Sequence, residues 1–339
     1  MNKSFTTLFI LSYGALGDFC FLLYFLDHAH QSVPQARYVV LTTRGAPLLK
    51  EMAAAYPFVE IVAINPFTLL KLFLQTMFKK NIFIVPPTFF DVPNYVGVIA
   101  RLLTLLRGTV IGFSSRARTP KFDLTIPFNT KELFYKNFST LLKTLGLPAG
   151  ESPVVRFIHD TSVLSELGKD YVVLAPFASN QSKTLPPKRW VDLIAFLGKK
   201  YTNRVIILGA PSDITAAKEM IDQSGHTNAR ALCGLPFAQT AAIIAHTKCF
   251  IGIDSGLTHI AGVQGTRTIA LEHLRAPMYF PYYNPNATVL FESENCLCDE
   301  EFGKDCYWVI DGIKYLRCLV DIPQEKIEVA VAEVLQHHD

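Results

Sequence analysis

Thr7-Leu-Phe-Ile-Leu-Ser-Tyr-Gly-Ala-Leu-Gly-Asp18 is the stretch on which the fold turns. Its first six residues carry no charge and have the length of a buried strand. Gly14 and Gly17 then allow a tight turn, and a helical pattern follows from Asp18 to about His30. A strand that passes through a glycine turn into a helix is the opening step of a parallel α/β sheet. The same alternation continues downstream. Arg37–Thr42, Val59–Ile64, Asn81–Val85 and Thr109–Phe113 read as strands, with helices over Pro47–Tyr56, Pro66–Phe78 and Tyr95–Leu106. Leu147–Pro153 is a loop of proline and glycine, after which the alternation restarts. Strands are expected at Tyr171–Ala175, Arg204–Leu208, Lys248–Gly252 and Arg267–Leu271, and helices at Pro187–Tyr201, Ser212–Gln223, Phe237–His246 and Leu257–Val263. A last helix starts at Pro323 and runs to about Leu335. The expected fold is α/β, with two Rossmann-like, doubly wound parallel-sheet domains (1–160 and 161–339) facing across a cleft. Ligands then belong at the carboxyl ends of the strands.

Length and composition agree with this. The chain has 339 residues, and domains average about 150. Hydrophobic residues make up 50% and charged residues 18%, against about 25% charged in ordinary soluble proteins. That excludes disorder. The formal charge is +3, from 32 basic and 29 acidic side chains, too small a surplus for strong non-specific nucleic-acid binding. Phe5–Leu26 is apolar enough to raise a signal peptide or anchor, but Gly14, Gly17 and Asp18 interrupt it. Each remaining piece is shorter than the ~20 residues a span needs. Phe67–Val85 is broken by Lys71, Lys79 and Lys80. A cytoplasmic protein is expected.

Three strand-end loops collect the reactive side chains. In Ser12–Asp18 the helix start favours negative charge, so Asp18 is either a dipole-stabilised first-turn residue or a general base at the cleft floor. The loop has neither the G-x-G-x-x-G of dinucleotide sites nor the Lys-Ser/Thr of a P-loop. Ala175–Thr184 leaves a strand carrying Ser179, Asn180, Ser182 and Lys183. These hydroxyls, N–H groups and one ammonium can grip a diphosphate or simply face solvent. Gly252–Ala261 runs a strand into Asp254-Ser255-Gly256, with Thr258 and His259 in the first helical turn. Gly256 permits close backbone approach, and the helix start can hold phosphate. A capping Asp or Ser with a packed histidine explains any one of these residues, but not their crowding in one loop.

In this order the loops resemble glycosyltransferase family 9, the ADP-heptose:lipopolysaccharide heptosyltransferases, whose fold is GT-B. The resemblance covers nearly the whole chain. Gly14-Ala-Leu-Gly-Asp18 matches the family's G-x-x-G-D. Pro176 to Trp190 matches its strand end followed by Lys-x-x-Pro and an aromatic. Gly209-Ala-Pro matches its G-x-P turn, Cys233-Gly-Leu-Pro its glycine before a helix, and Asp254-Ser-Gly-Leu-Thr-His259 its D-S/T-G-x-x-H. Leu185 departs from it, where many members carry tryptophan. So does Leu271-Glu-His-Leu274, where many have a turn like Phe-Gly-Pro-Thr.

The resemblance implies an inverting sugar transfer, heptose from ADP-heptose, to a hydroxyl of the lipopolysaccharide inner core. It implies an enzyme peripheral to the inner membrane of a Gram-negative bacterium, with residues 1–160 binding the acceptor and 161–339 the nucleotide sugar. Asp18 is then the base that activates the hydroxyl, with Gly14 and Gly17 shaping the acceptor loop. Ser179, Ser182 and Lys183 meet the donor diphosphate. Asp254 contacts donor sugar hydroxyls, and Ser255, Gly256, Thr258 and His259 shape the phosphate and sugar pocket. Asp213 is a candidate for the ribose. A nucleoside diphosphate leaves readily, so no second carboxylic acid is needed, unlike glycoside hydrolysis, and no catalytic cofactor is expected.

Arg101, Arg107, Arg116, Arg118 and Lys121 cluster beside the apolar Phe67–Phe78 helix. They are either a solvated face or an acceptor site, above all Arg116, Arg118 and Lys121, for an anionic glycolipid at a membrane surface. Cys296, Cys298, Cys306 and Cys318 crowd the segment 296–318 ahead of the C-terminal helix. Four thiolates there could close a structural Zn or Fe site, or stay reduced and partly buried. Other readings are a nucleotide-sugar epimerase of the same plan, a heptosyltransferase acting on protein, and a non-catalytic sugar-nucleotide-binding protein. No dinucleotide fingerprint follows either first strand, which disfavours a dehydrogenase.

Overall fold

The apolar run at the N-terminus becomes β1, Thr7–Ser12, buried along its whole length, and α1, Leu16–Ser32. The computed structural model describes residues 5–88, 92–114, 121–168, 170–201, 204–273, 277–292 and 306–336. It divides between Val155 and Arg156 into two compact units.

In unit 1, β2 (Arg37–Thr42), α2 (Ala46–Met52), β3 (Val59–Ala63), α3 (Pro66–Thr76) and β4 (Asn81–Val85) follow. After them come α4 (Asn94–Thr104), β5 (Thr109–Ser114), β6 (Leu124–Pro127) and α5 (Phe134–Thr144). The sheet order is β3-β2-β1-β4-β5-β6, and every neighbouring pair is parallel. The middle strands are near-continuous apolar runs because helices cover both faces. The aromatic side of α1 packs on α5, with ring centroids 5.7 Å apart for Phe21–Phe134 and 5.9 Å for Tyr24–Tyr135. The Tyr24 hydroxyl donates to Gly150 O at 2.9 Å, tying the end of the unit to α1. The stretch that raised a signal or anchor is thus a strand and a packed helix. No helix among the described residues is long and apolar enough to cross a membrane.

Unit 2 opens with a short helix, α6 (Leu164–Leu167). Then come β7 (Tyr171–Ala175), α7 (Pro187–Lys200), β8 (Arg204–Gly209), α8 (Ile214–Ser224), β9 (Ala229–Cys233), α9 (Phe237–His246) and β10 (Cys249–Ile253). The chain continues through α10 (Gly256–Val263), β11 (Thr268–Leu271), β12 (Ala287–Leu290), the hairpin β13 (Tyr307–Ile310) and β14 (Ile313–Leu316), α11 (Arg317–Val320) and α12 (Gln324–Gln336). The sheet order is β12-β11-β10-β7-β8-β9, again all parallel. Counted from its own first strand, this is the order of unit 1. Trp190, Leu185 and Ile194 of the β7–α7 segment fill the core with Ile251, Leu319 and Val331. The Arg189 guanidinium donates to Val320 O at 2.8 Å, Ile322 O at 2.6 Å and Gln324 Oε1 at 2.8 Å, which fastens α12 to the start of α7.

Both sheets are doubly wound, as expected, and each has six strands where five and four were read. The helix expected over Pro47–Tyr56 closes early as α2 and a 3-10 turn, Ala53–Ala55. Strands β6, β9 and β12, helix α5 and the β13–β14 hairpin were not expected. β6 is four residues long and ends in a proline, and β9 is half-exposed, so neither shows a plain apolar run.

Candidate functional site

In a doubly wound sheet the strand order reverses beside the first strand, and the loops there form a crevice. In unit 1 the reversal lies between β1 and β4, and in unit 2 between β7 and β10. The loops singled out in the sequence follow β1, β7 and β10.

After β1, Gly14 takes φ +80°, and a Cβ on it would stand 2.8 Å from Arg44 Cγ and 3.0 Å from Arg44 O. Only glycine meets both demands without strain. Arg44 Nε donates to Tyr13 O at 2.9 Å and braces the turn from β2. Gly17 is buried and Asp18 half-buried in the first turn of α1. Asp18 lines a small cavity with Ser12, Tyr13, Pro86, Pro87 and Phe138, drawn from β1, α1, the segment after β4, and α5. Among the described residues the Tyr13 hydroxyl is buried without a hydrogen-bond partner. Burial first, then Tyr95 and Asp18, push its phenol above the ordinary range. Tyr13 was not singled out in the sequence. Lys121 is exposed, and its carbonyl accepts from Arg101 Nη2 at 3.0 Å. Arg116 and Arg118 lie outside the described residues.

The β7 and β10 loops of unit 2 meet. After β7, the Asn180 side chain accepts from the Ser182 N–H at 3.1 Å and the Ser182 hydroxyl at 2.9 Å, closing a turn that aims Lys183 inward. Ser179 stays exposed. Lys183 Nζ donates to Asp254 Oδ2 at 2.6 Å. On the same oxygen, 2.9 Å away, sits His273 Nε2, while His259 Nε2 is 3.4 Å from Oδ1. An ionised carboxylate only accepts, so His273 places its proton on Nε2. Its Nδ1 is buried without a partner among the described residues. Burial alone would raise the Asp254 carboxyl, but hydrogen bonds from His259 and His273 and the Lys183 charge outweigh it. They hold Asp254 well below the usual carboxylate range.

Glu272, just before His273, is fully buried, and its Oε1 has no partner among the described residues. Burial, then the Asp254 charge, push its carboxyl well above the usual range, and Lys183 only partly offsets them. The surroundings thus act oppositely on the two carboxyls, favouring the charged form of Asp254 and the neutral form of Glu272. A group with a raised folded pKa stabilises below its unfolded value, about 4.3, and that stability is lost as pH rises through the folded value. Glu272→Gln keeps the neutral shape without the titration. It is therefore expected to match the wild type near pH 4 and to melt at higher temperature at pH 8. Melting curves of the two proteins across this range check it, and parallel pH profiles would contradict it.

At the start of α10, Ser255 occupies the cap position but makes no capping hydrogen bond, and its hydroxyl is buried without a partner among the described residues. Thr258 is fully buried and donates instead to Ile253 O, with Gly252 making room for it. It braces the turn. Asp213 accepts from the Ala210 N–H at 2.8 Å and closes the turn after β8. The structure thus gathers Lys183, Asp254, Ser255 and His259 and adds Glu272 and His273. These last two were noted in the sequence only as part of a departure from the family pattern. Their signal was that they follow a buried strand, β11, at the same sheet edge.

Cys296 and Cys298 lie outside the described residues. Cys306 and Cys318 are buried, and their stretches are joined where Arg317 N–H donates to Cys306 O at 3.2 Å. Glu292 N–H donates to Cys318 O at 3.0 Å, so the chain on either side of 293–305 converges on Cys318. Among the described residues no group of three or more His, Cys, Asp or Glu side chains could hold a metal ion.

Comparison with known proteins bears on the fold and the family. The fold matches Escherichia coli ADP-heptose lipopolysaccharide heptosyltransferase II at 18% identity, with 98% of this chain and 100% of that one covered and a TM-score of 0.71. It matches E. coli heptosyltransferase WaaC with ADP at 15% identity, with 97% and 100% covered and a TM-score of 0.68. It also matches the dodecameric iron-containing heptosyltransferase TibC in complex with ADP-D-beta-D-heptose at 16% identity, with 98% and 77% covered and a TM-score of 0.59. No curated protein matches by sequence. The sequence model for glycosyltransferase family 9 (heptosyltransferase) matches residues 92–307, a span that holds the β7 loop, the Lys183–Asp254 cluster and Glu272. By that match the chain belongs to glycosyltransferase family 9 and is a glycosyltransferase.

Proposed function

We propose that the chain is an inverting glycosyltransferase that moves heptose from ADP-heptose to a hydroxyl of an anionic inner-core glycolipid. The observation that carries the donor half is Ser255, a cap residue whose hydroxyl caps nothing. The first N–H groups of α10 carry the positive end of the helix dipole. With the Ser255 hydroxyl and the Lys183 ammonium they make a receptor for a diphosphate. Lys183 has three protons, so it can remain on Asp254 and still donate to phosphate. The three solved relatives are described with ADP or ADP-heptose chemistry, which favours adenosine diphosphate as the leaving group.

In this reading Asp18 accepts the proton of the acceptor hydroxyl as its oxygen bonds to the anomeric carbon. The bond from that carbon to the diphosphate breaks, and its electron pair leaves with the phosphate. Attack from the face opposite the leaving group inverts the anomeric centre. In the same reading the Tyr13 hydroxyl, which shares a small cavity with Asp18, donates a hydrogen bond to the acceptor. Lys183 and the start of α10 stabilise the charge that grows on the diphosphate. Lys121, with Arg116 and Arg118, would hold the anionic groups of the acceptor, at the cytoplasmic face of the inner membrane. The convergence of the chain on Cys318, with TibC described as iron-containing, supports a structural Zn or Fe on the four cysteines. A closed four-thiolate site leaves no position for substrate.

A thermal-shift series of nucleotide sugars tests the donor. ADP-heptose at 100 times its dissociation constant is expected to add about 2.7 kcal/mol of stability, and other nucleotide sugars less. Donor turnover should require an acceptor. A shift by no nucleotide sugar would overturn the reading, and an epimerised donor formed without acceptor would replace it with the epimerase.

A further inference from the structure

Unit 1 carries an apolar surface that its own fold does not cover. On α3, Leu72 and Thr76 face inward, while Phe67, Leu70, Leu74 and, just beyond the helix, Phe78 face out at spacings of one helical turn. Phe67 is 75% exposed and Phe78 71%. The neighbouring α4 is apolar on both sides. Val96, Ile99 and Leu103 enter the core of unit 1, and Tyr95, Val98 (69% exposed) and the following Leu105 and Leu106 remain outside. Soluble monomers rarely leave so many large apolar side chains exposed on adjacent elements.

Charge decides the occupant. Residues 66–80 and 94–108 contain Lys71, Lys79, Lys80, Arg101 and Arg107 but no aspartate or glutamate. Arg101 is held by Asp123 at 2.7 Å. A second copy docked two-fold on this face would bring the same basic residues against themselves. An anionic bilayer supplies both what the aromatic and leucine side chains need and what the basic rim attracts.

We infer that the α3–α4 face is a membrane-docking surface that lays Phe67, Leu74, Phe78 and Val98 into the headgroup region of an anionic leaflet. It deepens the glycolipid reading and rests on it only for the choice of leaflet. Binding is measured with neither donor nor acceptor present, so it can fail while sugar transfer stands, and the reverse.

The probe is sedimentation with vesicles of phosphatidylcholine, with and without phosphatidylglycerol, at low and high salt. The full chain is expected to bind only the anionic vesicles and to be released by salt. Lys71→Glu and Lys79→Glu should each weaken binding about fivefold or more. Phe67→Ser should lower it about tenfold with an unchanged melting temperature, because that ring contributes little to the core. Phe78→Trp gives a direct reading, since its emission should shift to the blue on adding anionic vesicles. No binding to anionic vesicles, or equal binding to neutral ones, would overturn the assignment. So would a salt-stable dimer that Phe67→Ser disperses, which would make the face a protein interface.

Discussion

Asp18→Asn is expected to lower the turnover of sugar transfer by about 10²–10⁴-fold, the usual contribution of a positioned general base. That corresponds to roughly 3–5.5 kcal/mol of barrier at 1.36 kcal/mol per decade. The fold should survive. A first-turn carboxylate contributes only about 0.3–1 kcal/mol through the helix dipole, and asparagine has the same shape. Donor binding should also survive, because Lys183, Asp254 and Ser255 belong to unit 2. Two measurements separate the roles, the steady-state rate of ADP release with acceptor and the melting-temperature rise caused by donor alone. Loss of rate with an intact donor shift is the expected pair. A rate within a few-fold of wild type would remove Asp18 as the base.

Asp254→Asn is expected to be the most destabilising single change in the Lys183–Asp254 cluster, by about 3–5 kcal/mol, the range for breaking a buried ion pair. Lys183 is about one-third exposed and can turn toward solvent, which places the effect near the lower end. Asparagine offers one acceptor oxygen where the carboxylate serves Lys183, His259 and His273. Its loss also relieves Glu272, whose carboxyl is raised partly by the Asp254 charge. Asp254 itself stabilises above the unfolded carboxyl value, about 3.9, and that stability is lost as pH falls through its depressed folded value. At neutral pH the full penalty therefore appears. Urea unfolding followed by a signal from unit 2 measures it. A change under 1 kcal/mol, with donor binding intact, would mean the pair carries neither the fold nor the site.

The two sheets and three reactive loops were legible in the sequence for one physical reason. Buried parallel strands must be apolar along their length, and a chain leaving such a strand for a helix needs a small, turn-forming residue. Thr7–Ser12 with Gly14, and Cys249–Ile253 with Gly256, satisfy both. Three of the edge strands escaped because they are short or half-wet, as β6 and β9 are, whereas the edge strand β3 was read. Helix α5 escaped because it follows a polar loop and its burial depends on aromatic residues contributed by α1. At the site, residue types were readable but directions were not. Thr258 and His259 are neighbours in sequence, yet one braces the core and the other faces Asp254. Glu272 and His273 stood out in sequence only as a missing turn motif, since their meaning depends on β11 lying beside β10.

The matching strand order of the two sheets has a historical consequence. Identical winding in both halves is what an ancient tandem copy of one strand–helix module would leave behind. Once doubled, the copies were released from doing the same work. One strand-end turn could settle on an acid in the first turn of its helix and the other on a lysine-clamped cluster, each changing without retuning the other.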